Sequence, residues 1–337
     1  MVIQDAIRSL VEAGTLTGGA AAAAMEEIMG GGATPAQIGA FLAALRVRGE
    51  TAEVVAACST VMQAHAEPVP VADVIDICGT GGDGIDTFNV STAAAFVVAG
   101  AGARVAKHGN RAMTSACGSA DVLEALGAKI ELSPEGVAAC IERAAFGFMF
   151  APAFHPAMKF AAGPRREIGV RTVFNILGPL TNPAGAQAQV LGVAEASLAE
   201  KLAHVLARLG TKHALVVYGE DGLDEVSVSA TTQVYEVRDR RVVTSTLHPD
   251  DVGLRTQPRD AVRGGSAEEN AEALRHVLAG EAGPLRDFTL LNAAAALVAA
   301  DLAPDFRAGL ALAAKAIDSG AAREKLEAFV RVSHEVG

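Results

Sequence analysis

Apolar residues near the start of the chain recur at the spacing of an amphipathic helix. They stand at positions i, i+3, i+4 and i+7: Ile38, Phe41, Leu42 and Leu45. Thr34-Pro35-Ala36-Gln37, just before them, has the residue types of a capping box. Gly30-Gly31-Gly32 ends the preceding helix, and Gly49 ends this one. The first ~65 residues therefore predict helices only. Their apolar stripes must pack on the rest of the chain or on a second copy.

A different pattern begins after Glu67-Pro68-Val69-Pro70, which predicts an extended linker. The predicted strands are Asp73–Cys78, Ala103–Ala106, Phe146–Phe150 and His213–Tyr218, with an antiparallel pair Thr232–Val237 and Val242–Thr246. The predicted helices are Val90–Gly100, Ser119–Leu126, Ser133–Ala145 and Ser266–Leu278, and two more close the chain. Alternating strands and helices predict an α/β fold with a mostly parallel central sheet flanked by helices.

The change of pattern also predicts two domains. A small all-helical domain spans residues 1–68, joined by a returning helical segment near residues 165–188, and a larger α/β domain spans residues 73–337. In mostly parallel sheets, ligands bind beyond the carboxyl ends of the strands. We therefore expect the binding and catalytic residues in the loops that follow Cys78, Ala106 and Tyr218.

Composition and charge narrow the classes of partner. Lys plus Arg number 28 and Asp plus Glu number 39, a net charge of −11, which disfavours a broad nucleic-acid or anionic membrane surface. The small-apolar stretches fall short of the ~20 residues that span a bilayer, and the N-terminus has no export pattern. Four cysteines without a C-x-x-C pair predict neither a zinc cage nor disulfides. We expect a cytoplasmic protein with no nucleic-acid or membrane partner.

A glycine-rich loop follows the first predicted strand. Cys78-Gly79-Thr80-Gly81-Gly82-Asp83-Gly84 leaves backbone N–H groups open to an anion, although an ordinary tight turn has the same residue types. The loop also contains G-x-G-x-x-G, but Ile85-Asp86-Thr87-Phe88 separates it from the next helix. The next strand ends in Lys107-His108, where a dinucleotide site would place a ribose-binding carboxylate. A dinucleotide-dependent reductase is therefore the weaker hypothesis.

Three further groups of polar residues follow predicted strands or begin a helix. Asn89-Val90-Ser91-Thr92 begins a helix, where an N-cap or an anion cradle is expected. Lys107-His108-Gly109-Asn110-Arg111 is either a binding segment or a solvated basic turn. Asp224 and Glu225 offer hard oxygen ligands for Mg²⁺, or belong to an exposed acidic loop. Together these groups predict a site for a magnesium-bound polyphosphate.

This combination of residues resembles the anthranilate phosphoribosyltransferase family, which joins anthranilate to phosphoribosyl pyrophosphate (PRPP) in tryptophan biosynthesis. The resemblance covers roughly residues 15–330 and is carried by Cys78–Asp83, Phe88–Thr92, Val105–Arg111, Gly118–Gly127, His155–Lys159, Arg171–Pro183 and Asp224-Glu225. It implies a small helical domain beside a larger α/β domain, and a homodimer formed through the helical part.

The resemblance also implies the site residues. PRPP would be held by Gly79, Gly82, Asp83, Thr87, Asn89, Val90, Ser91, Thr92, Lys107, His108, Gly109, Asn110, Arg111, Ala112, Met113, Thr114, Ser115 and Ser119. The cofactor Mg²⁺ would be ligated by Ser91, Asp224 and Glu225. Anthranilate would meet Gly79, His108, Asn110 and Arg165, whose guanidinium suits a planar carboxylate.

Catalysis in this hypothesis is electrostatic, with Lys107 as the contributing cation and no residue assigned as a general base. Two positions depart from the family pattern. Ala116 stands where a basic residue is expected, and Phe154 precedes His155 where two histidines are common. A non-catalytic phosphoribose-binding regulator and a pyrimidine nucleoside phosphorylase remain as alternatives, although the lysine motif of the phosphorylase continues with Ser-Thr-Gly.

Overall fold

A computed structural model describes residues 2–82, 84–112 and 116–337. Its helices are α1 (Val2–Arg8), α2 (Gly18–Met29), α3 (Pro35–Arg48), α4 (Ala52–Ala64), α5 (Val90–Gly100), α6 (Ser119–Ala125), α7 (Pro134–Ala144), α8 (Ala151–Phe154), α9 (Lys159–Ile168), α10 (Phe174–Leu177), α11 (Ala196–Leu209), α12 (Ala267–Leu278), α13 (Pro284–Ala299), α14 (Phe306–Asp318) and α15 (Ala321–Glu335). Its strands are β1 (Ile75–Gly79), β2 (Val105–Gly109), β3 (Phe146–Phe150), β4 (Ala188–Gly192), β5 (His213–Gly219), β6 (Thr232–Arg238) and β7 (Arg241–Leu247).

The strands form one seven-stranded sheet in the order β3-β2-β1-β4-β5-β6-β7. Strands β1 to β5 pair in parallel, and β6 and β7 add an antiparallel edge. This arrangement confirms the predicted α/β class, and a strand is present at each predicted position, although the limits of some differ. Sequence reasoning missed β4, which lies between β1 and β5, and the helix α11 that follows it.

Both faces of the sheet are covered, because successive side chains of a strand point to opposite faces. Val190 and Leu215 belong to the core beneath α5 and the C-terminal helices. Leu191 and Val216 belong to a second core that also contains the apolar stripes of the N-terminal helices. The stripe from Ile38 to Leu45 is fully buried there, and Thr34 forms the predicted capping box with Gln37.

The N-terminal helices α1 to α4 form a small helical domain that a later part of the chain rejoins. Helix α9 packs on α3, and α10 packs on α4. Ala161, Phe174 and Leu177 from this returning segment lie in the same core as the N-terminal stripes. No helix in the described ranges is both long and apolar enough to cross a membrane.

Small residues let the buried helices of the larger domain approach one another closely. A Cβ placed on Gly100 of α5 would lie 2.7 Å from the backbone nitrogen of Ala322 on α15. A Cβ on Gly309 of α14 would lie 2.8 Å from the carbonyl oxygen of Ala294 on α13. Three helices, not the two predicted, follow α12. The alanine-rich α13 is buried on nearly all sides, so its sequence has no polar face to mark a helical period.

Candidate active site

The loops that follow the parallel strands meet at one edge of the sheet. The glycine loop after β1 lies beside β4, because Thr80 N donates to Gly192 O at 2.9 Å. The loop after β5 reaches the same place, since Gly81 N donates to Asp224 Oδ2 at 2.7 Å. The structure therefore brings the glycine loop and the acidic pair together at the carboxyl edge, as predicted.

Lys107 lies inside the protein and not on a solvated turn. Strand β2 extends to Gly109, so Lys107 and His108 belong to the strand, and the predicted end at Ala106 was wrong. Lys107 is 2% exposed, and its Nζ donates to Ile77 O at 2.5 Å and to Ser91 Oγ at 3.2 Å. One ammonium group thus joins β1, β2 and the start of α5, and places positive charge beneath the glycine loop.

A buried carboxyl group accompanies Lys107. Asp76 of β1 accepts hydrogen bonds from Asn182 Nδ2 at 2.8 Å and from His108 N at 3.3 Å. Burial raises the pKa of Asp76, and the charge of Lys107 opposes that rise. Burial lowers the pKa of Lys107, and Asp76 opposes that fall. Sequence reasoning missed Asp76 and Asn182, although a carboxylate inside an apolar strand was a visible clue.

Glycines at the ends of β1 and β4 make room for Asp224. A Cβ on Gly79 would lie 2.3 Å from Asp224 Oδ2, and a Cβ on Gly192 would lie 1.6 Å from Asp224 O. Asp224 is buried and Glu225 is half-buried, so the pair does not lie on an exposed acidic loop. Gly82 has a φ of +85°, a conformation that favours glycine.

Arg171 is a cation that sequence reasoning did not assign to the site. A Cβ on Gly82 would lie 1.9 Å from Arg171 Nη1, so the guanidinium lies directly against the glycine loop. Arg171 follows α9, in the segment that returns to the helical domain. The returning segment thus adds positive charge to one side of the loop.

Helix α5 begins at Val90, outside the glycine motif, which argues against the dinucleotide hypothesis. Asn89 makes no side-chain cap to α5, contrary to the N-cap hypothesis. Its amide bonds elsewhere in the protein, to Cys117 and Asn270. Thr92 Oγ1 is buried and has no hydrogen-bond partner among the described residues.

Several polar groups in the segment after β2 bond to other residues of the protein. The guanidinium of Arg111 pairs with Glu124 and Asp121 on α6, so these two carboxylates offset its charge. Gly109 leaves room for Ser119 Oγ, which would lie 2.2 Å from a Cβ there and donates to Asn110 O at 3.4 Å. Ala112 N donates to Asp121 Oδ2 at 2.9 Å.

Of the other residues predicted to bind PRPP, Thr87 lies within the described ranges and four lie outside them. Thr87 forms an isolated antiparallel bridge with Arg263, so it lies against a segment near α12. Four predicted PRPP residues lie outside the described residues: Asp83, Met113, Thr114 and Ser115.

Two buried histidines lie side by side next to Lys107. The rings of His108 and His155 have centroids 5.0 Å apart. Burial lowers the pKa of His108 to about 3 and that of His155 to about 4. His108 Nδ1 donates to Gly178 O at 3.2 Å, which leaves Nε2 as an acceptor. Neither Nε2 atom has a partner within the described part of the chain. Both rings are therefore neutral at pH 7 and add no positive charge to this part of the protein.

Phe154 and Arg165, two positions singled out in the sequence, differ in exposure. Phe154 is 1% exposed and packs in the core of the α/β domain, so its side chain does not lie on an access path. Arg165 stacks over Phe174 at 5.2 Å and is half-buried. Arg165 and Glu167 are both described and form no ion pair. The exposed Ala116 adds no charge, and its N–H donates to Asp86 Oδ1 at 2.9 Å.

The two neutral histidines predict a pH dependence of stability. Below pH 6.5 these two histidines bind protons in the unfolded chain. In the folded protein they stay neutral until the pH falls to about 4 for His155 and about 3 for His108. The free energy of unfolding should therefore fall by about 1.4 kcal/mol per pH unit for each ring as pH drops below 6.5. Urea unfolding at pH 7, 6 and 5 measures the slope. In the His155→Gln variant this slope should be smaller, because the contribution of one ring is removed. An unchanged slope would contradict the conclusion that His155 is neutral in the folded protein.

Two family models match the chain. The a/b domain model of a glycosyl transferase family matches residues 71–323, and the helical bundle domain model of that family matches residues 4–66. Together with the fold, these matches define the class: a glycosyl transferase with an N-terminal helical bundle.

Individual relatives narrow this class. Anthranilate phosphoribosyltransferase from Chloroflexus aurantiacus is 58% identical over 336 residues, which is 99% of each chain. The crystal structure of anthranilate phosphoribosyltransferase from Thermus thermophilus is 44% identical, with a TM-score of 0.93 over 98% of this chain and 99% of that one. The Saccharomyces cerevisiae enzyme in complex with PRPP and Mg is 30% identical, with a TM-score of 0.90 over 99% and 98%. The chain belongs to the anthranilate phosphoribosyltransferase family, and the resemblance noted in its sequence is confirmed.

Proposed function

We propose that this protein transfers the phosphoribosyl group of PRPP to the amine of anthranilate, giving N-(5-phosphoribosyl)anthranilate and pyrophosphate in tryptophan biosynthesis. The observation that carries the proposal is the meeting of buried Lys107, Ser91 and Asp224 around the glycine loop. Relatives of the same name match over the full chain.

Mg²⁺ fits the acidic side of this loop. In the described ranges no three of the His, Cys, Asp and Glu side chains come together as a metal cage. A magnesium ion carried by a polyphosphate needs only one or two protein carboxylates. Asp224 and Glu225, with Ser91, would hold the ion, and the bound ion would neutralise charge on the departing pyrophosphate. The glycines at 79 and 192 leave the Asp224 carboxylate in place beside the loop.

The chain's own groups act by position and charge. The Lys107 ammonium lies between the glycine loop and α5. Its hydrogen bonds hold it there, so it would stabilise the negative charge of PRPP without having to move. Glycine-loop amides and the start of α5 orient the phosphates. The anthranilate amine is neutral at pH 7, so its lone pair can attack without a general base. His108, whose pKa burial lowers to about 3, is a weak proton acceptor.

The loss of anthranilate fluorescence on mixing with PRPP and Mg²⁺ tests the activity. Fluorescence should fall in the complete mixture and stay constant when a chelator removes Mg²⁺. Unchanged fluorescence in the complete mixture would refute the proposal. Calorimetric PRPP binding without pyrophosphate release would instead support a non-catalytic regulator, and nicotinamide binding would support a reductase.

Arg165 should recognise the anthranilate carboxylate. Its planar guanidinium is held over Phe174 and is not paired with Glu167 in the described part of the chain. Arg165→Gln should raise the KM for anthranilate by roughly tenfold or more, because a charge-assisted pair is lost. The KM for PRPP should stay within about twofold under this proposal. Arg166→Gln, the exposed neighbour, is the matched control. Equal KM values for anthranilate in the two variants would exclude this role.

The proposal extends to assembly, location and domain limits. Apolar side chains are exposed on the helical domain and its returning segment, with Val47 84% and Val170 56% exposed. These side chains support a homodimer through the helical domain. Light scattering of Val47→Glu beside the unmodified chain tests it. We place the protein in the cytoplasm. We place the domains at residues 1–68 and 73–337, with a returning helical segment near residues 165–188 attached to the helical domain.

A further inference from the structure

A buried asparagine on α12 is tied to the loop that precedes α5. Asn270 is 2% exposed, and its Oδ1 accepts from Gly265 N at 2.8 Å. A backbone N–H can only donate, so this bond fixes which end of the amide is oxygen. Nδ2 must then face Asn89, and it donates to Asn89 Oδ1 at 2.9 Å.

The orientation of Asn89 follows from the same argument. Its Oδ1 accepts from Asn270, and its Nδ2 donates to the carbonyl oxygen of Cys117 at 3.1 Å. The amide therefore joins the loop before α5 to the loop before α6. Protein groups engage both polar ends of this side chain, so Asn89 contributes to a PRPP site by holding these two loops together.

A backbone segment beside Asn270 holds the same loops. Phe88 N donates to Val262 O at 3.0 Å, and Gly264 N donates to Asp86 O at 2.8 Å. A Cβ on Gly264 would lie 2.7 Å from Thr87 O, so the two backbones are in close contact. Thr87 also bridges Arg263. Residues 262–265 and Asn270 thus run along residues 86–89 of the predicted PRPP site.

We propose that Asn270, with residues 262–265, is a positioning element for PRPP: it fixes the loops at residues 86–89 and 116–117 in the arrangement that receives the phosphates. The inference rests on the proposed function. Asn270 does not touch the reacting atoms and acts through Asn89. Its loss therefore weakens PRPP binding and leaves the chemical step and the anthranilate pocket largely intact.

Calorimetry with PRPP and Mg²⁺, together with steady-state kinetics, tests the proposal. Asn270→Ala should weaken PRPP binding and raise the KM for PRPP by roughly tenfold, the size expected for a lost buried hydrogen-bond pair. The kcat and the KM for anthranilate should change by less than about threefold. Ser266→Ala is the matched control, because Ser266 caps the same helix through Glu269 without contacting Asn89. It should lower the melting temperature and leave PRPP affinity unchanged.

A double-mutant cycle separates positioning from general destabilisation. Asn89→Ala and Asn89→Ala/Asn270→Ala should bind PRPP about equally weakly, because the Nδ2 group of Asn270 reaches the two loops through Asn89. If Asn270→Ala fails to fold, Asn270→Asp keeps the acceptor for Gly265 N and removes the donor to Asn89, and it should show the same loss. Unaltered PRPP affinity in the folded variant, or equal losses with Ser266→Ala, would overturn the inference. No PRPP binding by the unmodified chain would instead refute the proposed function.

Discussion

In the Asp224→Asn variant, kcat/KM for phosphoribosyl transfer should fall by about 100-fold while the fold is retained. The amide oxygen can still accept the 2.7 Å hydrogen bond from Gly81 N, so the loop keeps its place. The negative charge that would hold Mg²⁺ is lost. Fluorescence assays at increasing Mg²⁺ concentration measure the effect, and the variant should need more Mg²⁺ than the unmodified chain.

Glu220→Gln is the matched control for this loss of charge. Glu220 is exposed in the same loop, and its carboxylate accepts from Gln233 at 2.7 Å, away from the glycine loop. We expect its activity to stay within about twofold of normal. If the two variants lose activity equally, the effect comes from the charge of the loop as a whole, and Asp224 has no special role.

Lys107→Met should have two separate effects. Removing the ammonium abolishes its bonds to Ile77 O and Ser91 Oγ and leaves Asp76 buried without a nearby cation. The free energy of unfolding should fall by about 3 kcal/mol, as when one member of a buried pair is removed. Activity should fall by about 100-fold or more, because charge beneath the phosphates is lost. Urea unfolding and the fluorescence assay measure the two effects.

A second substitution separates stability from activity. Adding Asp76→Asn removes the uncompensated carboxyl group, so the double variant should recover part of the lost stability and none of the activity. Lys212→Met, at an exposed lysine before β5, controls for the change of residue type. Recovery of activity together with stability would show that Lys107 is only structural.

The fold was predictable where local patterns are strong. The Thr34 capping box, the β-branched run of β5 and the helix α12 each carry their own start and stop residues. Strand β4 was missed because Val190 is its one β-branched residue and because it contains the polar Gln189, whose amide donates to Pro179 O inside the fold. Only the tertiary structure satisfies that side chain, so no local pattern marks the strand.

The site was predictable as a set of loops but not as a set of contacts. Gly79, Lys107 and Asp224 were identified from loop chemistry and family resemblance. Arg171 and Asn270, which contact the loops of the site, were not identified, because each comes from a part of the chain that is distant in sequence. Distances between such elements depend on packing, which residue type and spacing do not encode.

The contacts that build this edge of the sheet join very distant parts of the chain. Gly81 and Asp224 are 143 residues apart in sequence, and Asn89 and Asn270 are 181 apart. Contacts of such separation close large loops, and the entropy cost of closing a large loop slows their formation. During refolding, the circular dichroism signal of the helices should therefore return before these contacts at the carboxyl edge of the sheet have formed. We expect catalytic competence to be the last property that the refolding chain regains.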